Sequence, residues 1–303
     1  MRFTLIVTTL GRTDELVRLF DSLVAQTHQD FIVRLTDQND DDRLAPIIAR
    51  YQDRLTIERT TSGRGVSRGR NASMHEPLAD IVAFPDDDCW YPEDALENLV
   101  KQFKKNPSVD GFTVKSVDDK AVPRSARATR QRTPLSKWSI FSGGQCVEYC
   151  TFLKADIIRK TGRFDENMGV GGETPWGADE GADLILRALA RNFSLIHEPN
   201  LHIFHPTLSM NTDDAFVERT YSYSSGTGYL WRKHAYPAWF LAYYVIRAII
   251  AATAAALSGK PRRIYVYRAR ISGYLNGYFN GRPDLAVHEG THAGIPAKAD
   301  VRE

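Results

Sequence analysis

The amino-acid sequence predicts an α/β fold: a mostly parallel sheet with helices on both faces, followed by a helical extension. Three observations lead there. Short β-branched runs alternate with amphipathic helical stretches through the first hundred or so residues, which is the pacing of a parallel sheet. Acidic residues stand where two of those strands end, at Asp37 and at Asp86–Asp88. Beyond residue 237 the pattern changes to two long helical stretches rich in apolar and aromatic residues. A chain of 303 residues accommodates one large domain and an appendage. The expected divisions are a catalytic-size α/β domain at 1–210, a helical extension at 211–283 and a flexible polar tail at 284–303.

Each element follows from its local pattern. Residues 2–9, RFTLIVTT, are rich in β-branched side chains and stop before Gly11, as a buried strand does. Thr13 or Asp14 can then cap a helix with Leu16, Leu19, Phe20 and Leu23 on one side. FIVRLTD (31–37) and RLTIERT (54–60) read as the second and third strands, with a short helical stretch between them. GVSRGRNASM (65–74) opens a helix, and DIVAF (80–84) is the fourth strand. PEDALENLVKQF (92–103) is an amphipathic helix, and VDGFTVKSV (109–117) a further strand. Residues 118–137 are basic and poor in apolar side chains, which predicts a mobile loop. QCVEYCTFLKADIIRKTGRFDE gives a strand and a short helix ended by Gly162. ADEGADLILRALARN (178–192) is helical, and FSLIHEP with LHIFHP reads as a closing strand pair.

The net charge of +2 says little about partners, but its distribution is uneven. Between Lys115 and Lys137 seven Lys/Arg face two Asp, and between Ser258 and Pro283 six Lys/Arg face no acid. Such clusters are solvated faces or surfaces for anions. Neither belongs to a nucleic-acid reading module, so no nucleic-acid partner is expected. Three cysteines are too few for a disulfide framework and point to a reducing compartment. Cys146 and Cys150 lack partners at zinc-site spacing and read as packing residues. The N-terminal run has no cleavable small-residue site, so no export signal is expected.

FPDDDCW (84–90) places three carboxylates in a row at the end of a strand. One acid would suffice to cap the next helix. A phosphatase-type acidic pair belongs after the first strand, where this chain has Thr8 and Thr9. The favoured reading is a divalent cation, Mg²⁺ or Mn²⁺, whose remaining ligands are substrate phosphates. Strand ends at the carboxyl edge of a parallel sheet are also where ligands bind.

Taken together, LIVTTLGRTDEL, SLVAQTHQDFIVRLTDQND, GVSRGRNAS and IVAFPDDDCWYPEDALE resemble glycosyltransferase family 2, inverting transferases with a GT-A fold, which is Rossmann-like. The resemblance runs from residue 2 to about 206. It implies a nucleotide-diphosphate sugar donor, with Thr8 and Leu10 lining the nucleotide pocket and Asp37 accepting from a uracil-like base. Arg70 and Asn71 would sit near nucleotide and sugar. Asp86 and Asp88 would form the Asp-x-Asp metal motif, Asp86 also facing the nucleotide, and His205 would face metal or phosphate.

Inverting transfer needs a carboxylate to take the acceptor's proton. GGETPWGADEGADLILR (171–187) is the dense acidic segment downstream of the metal motif. It resembles the family's acidic motif, with Glu180 as the expected base, Asp179 close behind, and Asp183 facing acceptor or sugar. The segment departs from the pattern at Gly181, where a second acid is usual. Trp176 offers either a sugar-stacking platform or a packing contact.

AWFLAYYVIRAIIAATAAAL (238–257) has the length of a membrane span with Arg247 at its centre. Seven Leu/Ile/Val/Phe contribute roughly −2 to −4 kcal/mol, and a central Arg costs about +2.5 to +3.5, so the sum is near zero. Aromatic and basic residues alternate through 262–279, which suits a lipid–water interface. The expectation is peripheral or monotopic attachment to the cytoplasmic face of a membrane, with a lipid-linked saccharide acceptor of surface polysaccharide assembly. The rivals are a soluble transferase with a protein or small-molecule acceptor, and a sugar-nucleotide-binding protein that has lost its base.

Overall fold

The structure is a computed structural model that describes residues 1–123, 130–141, 147–206 and 213–281. Cys146 and the 284–303 tail lie outside the described residues. Strands β1 (Phe3–Thr9), β2 (Phe31–Asp37), β3 (Ile57–Thr61) and β4 (Ile81–Ala83) run parallel, joined through helices α1 (Asp14–Val24), α2 (Ala45–Tyr51) and α3 (Val66–Ser73). Helix α4 (Ala95–Lys105) leads to β5 (Gly111–Val117). The short β6 (Thr133–Pro134) and β7 (Thr151–Lys154) follow, then α5 (Ala155–Thr161), α6 (Glu180–Ala190) and β8 (Leu195–Phe204). The sheet order is β3-β2-β1-β4-β7-β5-β8-β6, with β7 antiparallel to both neighbours. The sheet is therefore mixed.

Alternation along β1 explains why it lies at the centre of the first half. Phe3, Leu5 and Val7 join one apolar cluster with α1, while Ile6 points to a second cluster on the opposite face. Side chains two apart share a face, so a strand covered on both sides carries apolar residues on both faces. Gly162 ends α5 with a φ of 81°.

Two expectations are corrected. The closing strand pair is one strand, β8, parallel to β5, whose register jumps from Glu198 to His202. Pro199 and Asn200 thus mark a bulge rather than a turn, and one strand continues past it because β5 supplies partners on both sides. The stretch 118–137 is not wholly a loop: Thr133 and Pro134 pair with His197 and Ile196, and Leu135 is buried. Residues 124–129 of that stretch lie outside the description.

The described residues of the extension form three helices: α7 (Asp214–Lys233), α8 (Ala238–Leu257) and α9 (Pro261–Asn280). Asp213 caps α7 by accepting from Phe216 N–H at 2.8 Å. Helices α7 and α9 meet backbone to backbone: a Cβ on Gly277 would collide with the Ser225 carbonyl, and one on Gly228 with that of Tyr274. Trp231 is fully buried against the rings of Phe240, Tyr244 and Tyr274. It shares an apolar cluster with Leu184, Ile185 and Leu186 of α6, so the extension and the α/β unit have one continuous core on this side. Helix α8 instead leaves Trp239, Tyr243, Ile246, Ile249, Ile250 and Leu257 exposed.

Because the α7–α9 contact has no room for a methyl group, Gly277→Ala is expected to lower stability by about 1–3 kcal/mol. Urea unfolding would show the midpoint falling; an unchanged midpoint would mean that the helices separate at little cost.

Candidate active site

Three elements converge on the three aspartates at the carboxyl end of the sheet. Just past β1, Arg12 places Nη1 2.6 Å from Asp87 Oδ1 and 2.7 Å from Asp88 Oδ2. From α3, Arg70 donates to Asp86 Oδ1 at 3.0 Å and, through its other terminal nitrogen, to Glu180 Oε1 at 2.8 Å. After β8, His205 sets Nε2 3.1 Å from Asp88 Oδ1 and 3.9 Å from Asp86 Oδ2. The like charges are thus partly offset by two arginines, one of them shared with Glu180, and faced by a histidine. Asp86 also bridges to Thr8 as an extension of the parallel ladder, which sets these acids beside the end of β1.

Charge here is held in a desolvated setting. Burial pushes Asp87 up to about 6 against the pull of Arg12. Burial also raises Asp88, but the neighbouring His205 and Arg12 bring it below the usual carboxylate value. Burial raises Asp179 to about 6.

Asp86, Asp88 and His205 each offer a ligand atom, all within 4.8 Å of one another. His205 Nδ1 lies 2.9 Å from the Pro206 carbonyl, which can only accept, so Nδ1 carries a proton. In the neutral ring Nε2 then points a lone pair toward Asp88 Oδ1. That buried oxygen has no aligned hydrogen-bond partner despite the 3.1 Å approach. Two carboxylates and one imidazole with an unsatisfied oxygen between them fit a hard divalent cation.

The other expected residues divide. Thr8 and Leu10 stand at the end of β1, with Leu10 exposed. Asp37 ends β2, but Arg59 takes Oδ2 at 2.7 Å and Asn39 takes Oδ1 through backbone and side chain. Asp179 occupies the N-cap position of α6 with a φ of 69°, a strained conformation for a non-glycine residue. Trp176 stacks on Tyr229 with ring centroids 5.2 Å apart, so one of its faces serves packing.

Two of the expected residues are engaged within the protein. The Asn71 amide donates to the Phe164 carbonyl and the Glu166 carboxylate and accepts from Phe164 N–H. Asp183 does not face an acceptor. It has no exposed surface and binds Arg187, Lys233 and His234 at 2.8–2.9 Å, joining α6 to α7. A carboxylate on the inner side of α6 can be buried only with cations around it.

Sequence reading missed Arg12, whose signal was a lone arginine in the turn after the first strand, and Glu148. The Glu148 carboxylate accepts from Gly181 N–H at 3.1 Å and fills the space a Cβ at 181 would need. A carboxylate therefore does stand beside position 181, brought from another segment.

The family model for glycosyl transferase family 2 matches residues 4–161, more than half of the chain. The chain belongs to glycosyl transferase family 2. An uncharacterized glycosyltransferase of Haemophilus influenzae (strain ATCC 51907 / DSM 11121 / KW20 / Rd) is 28% identical over 108 residues, spanning 35% of this chain and only 36% of that protein. In fold, the chain resembles S. aureus TarS 1-349 in complex with UDP-GlcNAc, with a TM-score of 0.59 at 13% identity, covering 94% of this chain and 93% of that one. It spans 55% of a longer TarS chain. It likewise resembles the mannosyltransferase PcManGT of Pyrobaculum calidifontis in complex with GDP-Man and Mn2+, with a TM-score of 0.58 at 14% identity, covering 93% and 88%. The mixed sheet with its flanking helices is thus the GT-A fold that accompanies this family.

The Asp183 network yields a test with a sign. Burial opposes ionisation of Asp183, but Arg187, the His234 hydrogen bond and Lys233 hold it well below the usual carboxylate range. A carboxylate depressed by folding contributes stability above about pH 4 that is lost as pH falls. Asp183→Asn is expected to cost about 3–5 kcal/mol near neutrality, because it strands buried cations. The gap from wild type should narrow in acid; a gap constant from pH 7 to pH 3, measured by urea titration, would refute the pairing.

Proposed function

We propose that the protein is an inverting, metal-dependent glycosyltransferase that moves a sugar from a nucleotide-diphosphate donor, UDP-linked, to a hydroxyl of a lipid-linked saccharide during surface polysaccharide assembly. The observation that carries this reading is Arg70, which bonds to Asp86 and Glu180 together and so ties the donor-side acids to a candidate base. Family membership and likeness in fold to structures holding UDP-GlcNAc and GDP-Man support the donor class.

In this reading the acceptor oxygen attacks the anomeric carbon from the face opposite the leaving group. Glu180 takes the hydroxyl proton, a new glycosidic C–O bond forms, and the bond to the diphosphate oxygen breaks. Arg70 lowers the cost of holding Glu180 ionised in a buried setting and keeps its carboxylate aimed. Arg12 offsets part of the charge of Asp87 and Asp88 and so reduces their repulsion of a diphosphate. Asp86, Asp88 and His205 would hold Mg²⁺ or Mn²⁺, which supplies charge stabilisation of the departing diphosphate. Asp37 would meet a base only if Arg59 or Asn39 yields one of its oxygens.

The exposed apolar face of α8 supports attachment to a membrane, and we propose the cytoplasmic leaflet as its side. Among the described residues, α8 is the one helix long and apolar enough to span a bilayer. Arg247 lies 5.4 and 5.6 Å from the Tyr243 and Tyr244 ring centroids, an arrangement at home at an interface. The basic residues of α9, Arg262, Arg263, Arg268 and Arg270, suit anionic headgroups.

Release of nucleotide diphosphate from a panel of sugar nucleotides, with and without Mn²⁺, is the direct test. Turnover is expected to need the metal and to fall at least ~100-fold in Asp88→Ala. Metal-independent release insensitive to that change would overturn the reading. Flotation with anionic vesicles tests the membrane part: Ile246→Glu with Ile250→Glu should leave the protein at the bottom of the gradient, and unchanged flotation would sink it.

A further inference from the structure

We propose that Glu148 is a positioning residue for Glu180, capping from a distant segment the helix that presents it. This rests on the reading of Glu180 as the base. Helix α6 begins at Glu180, with Asp179 at the N-cap. An N-cap side chain ordinarily accepts from the backbone N–H two or three residues on. Asp179 makes no such bond. The N–H of Gly181, second in the helix, donates instead to Glu148 Oε1 at 3.1 Å, across 33 residues of sequence.

Glycine at 181 is the other half of the arrangement. A Cβ there would collide with Cγ of Glu148, so any larger residue would displace the capping carboxyl. Glu148 itself is anchored by its neighbours. It opens a single 3-10 turn, Glu148–Cys150, in which Tyr149 and Cys150 are buried. Tyr149 stacks on His205 with ring centroids 4.4 Å apart. One short segment therefore braces both the first turn of α6 and the histidine beside the aspartates.

Placing a second carboxyl beside Glu180 would be self-defeating if both were charged. Burial first, then the Glu180 charge, raises Glu148 to about 8. Held toward its protonated form, it still keeps a carbonyl oxygen for the Gly181 N–H. A glutamine side chain offers the same acceptor in the same shape, whereas alanine offers none.

The test compares full-length Glu148→Gln, Glu148→Ala, Gly181→Ala and Glu180→Gln, using amide exchange across 179–184 and steady-state turnover of the donor selected by the panel above. Exchange in Glu148→Ala is expected to quicken ~10-fold in that segment and nowhere else. Its kcat should fall ~100-fold with donor KM held within ~2-fold, as loss of aim rather than of binding. Glu148→Gln should match wild type in both readouts, and Gly181→Ala should match Glu148→Ala. Wild-type exchange or wild-type kcat in Glu148→Ala would overturn the proposal, as would a glutamine variant as impaired as the alanine one. Wild-type turnover in Glu180→Gln would instead overturn the base assignment, while exchange still reads the cap.

Discussion

A single buried guanidinium sets the geometry on which the rest of the site depends. Arg70 is 3% exposed, yet it carries a full charge between Asp86 and Glu180. An unpaired charge in that position would cost several kcal/mol. The end of β4, helix α3 and the first turn of α6 must therefore meet, although the paired residues are 16 and 110 positions apart. Phe164 lies under the guanidinium at 5.3 Å and packs edge-on against Phe84. Asn71, next along α3, holds both backbone groups of Phe164 and the side chain of Glu166. Two adjacent side chains on one short helix thus pin the segment that leads to Glu180.

What could be read from the sequence follows from the range over which sequence patterns act. Strand and helix periodicity is local, so β1, β2, α1, α5 and α8 stand where the apolar pattern puts them. The acids at strand ends were visible because strand ends are visible. Pairings across long separations were not: nothing near Asp183 says that Lys233 and His234 of α7 will reach it, and nothing near Asn71 announces Phe164. The amphipathic pattern of 178–192 shows which residues are apolar, not whether an acid among them points inward. A buried acid needs partners that only the folded chain identifies.

Gly181 shows the same limit from the opposite direction. Read along the chain it is a missing acid, a sign of lost function. In the fold, its bare Cα is the space that admits Glu148. A substitution that removes a side chain can be the condition for another side chain to arrive, and spacing within one motif cannot register that exchange.

The extension raises a related point about where one unit ends. Its helices follow the α/β portion in sequence, but Asp183 and the apolar cluster around Trp231 fasten α7 to α6. Helix α8 packs on the same cluster through Phe240 and Leu241 and turns its unburied residues outward. A surface that held α8 would therefore hold Glu180 at a set orientation, because close-packed aromatic contacts and a buried ion network join α6, α7 and α8. An acceptor anchored in that surface would meet a carboxylate whose height and direction the packing of α6, α7 and α8 had already fixed.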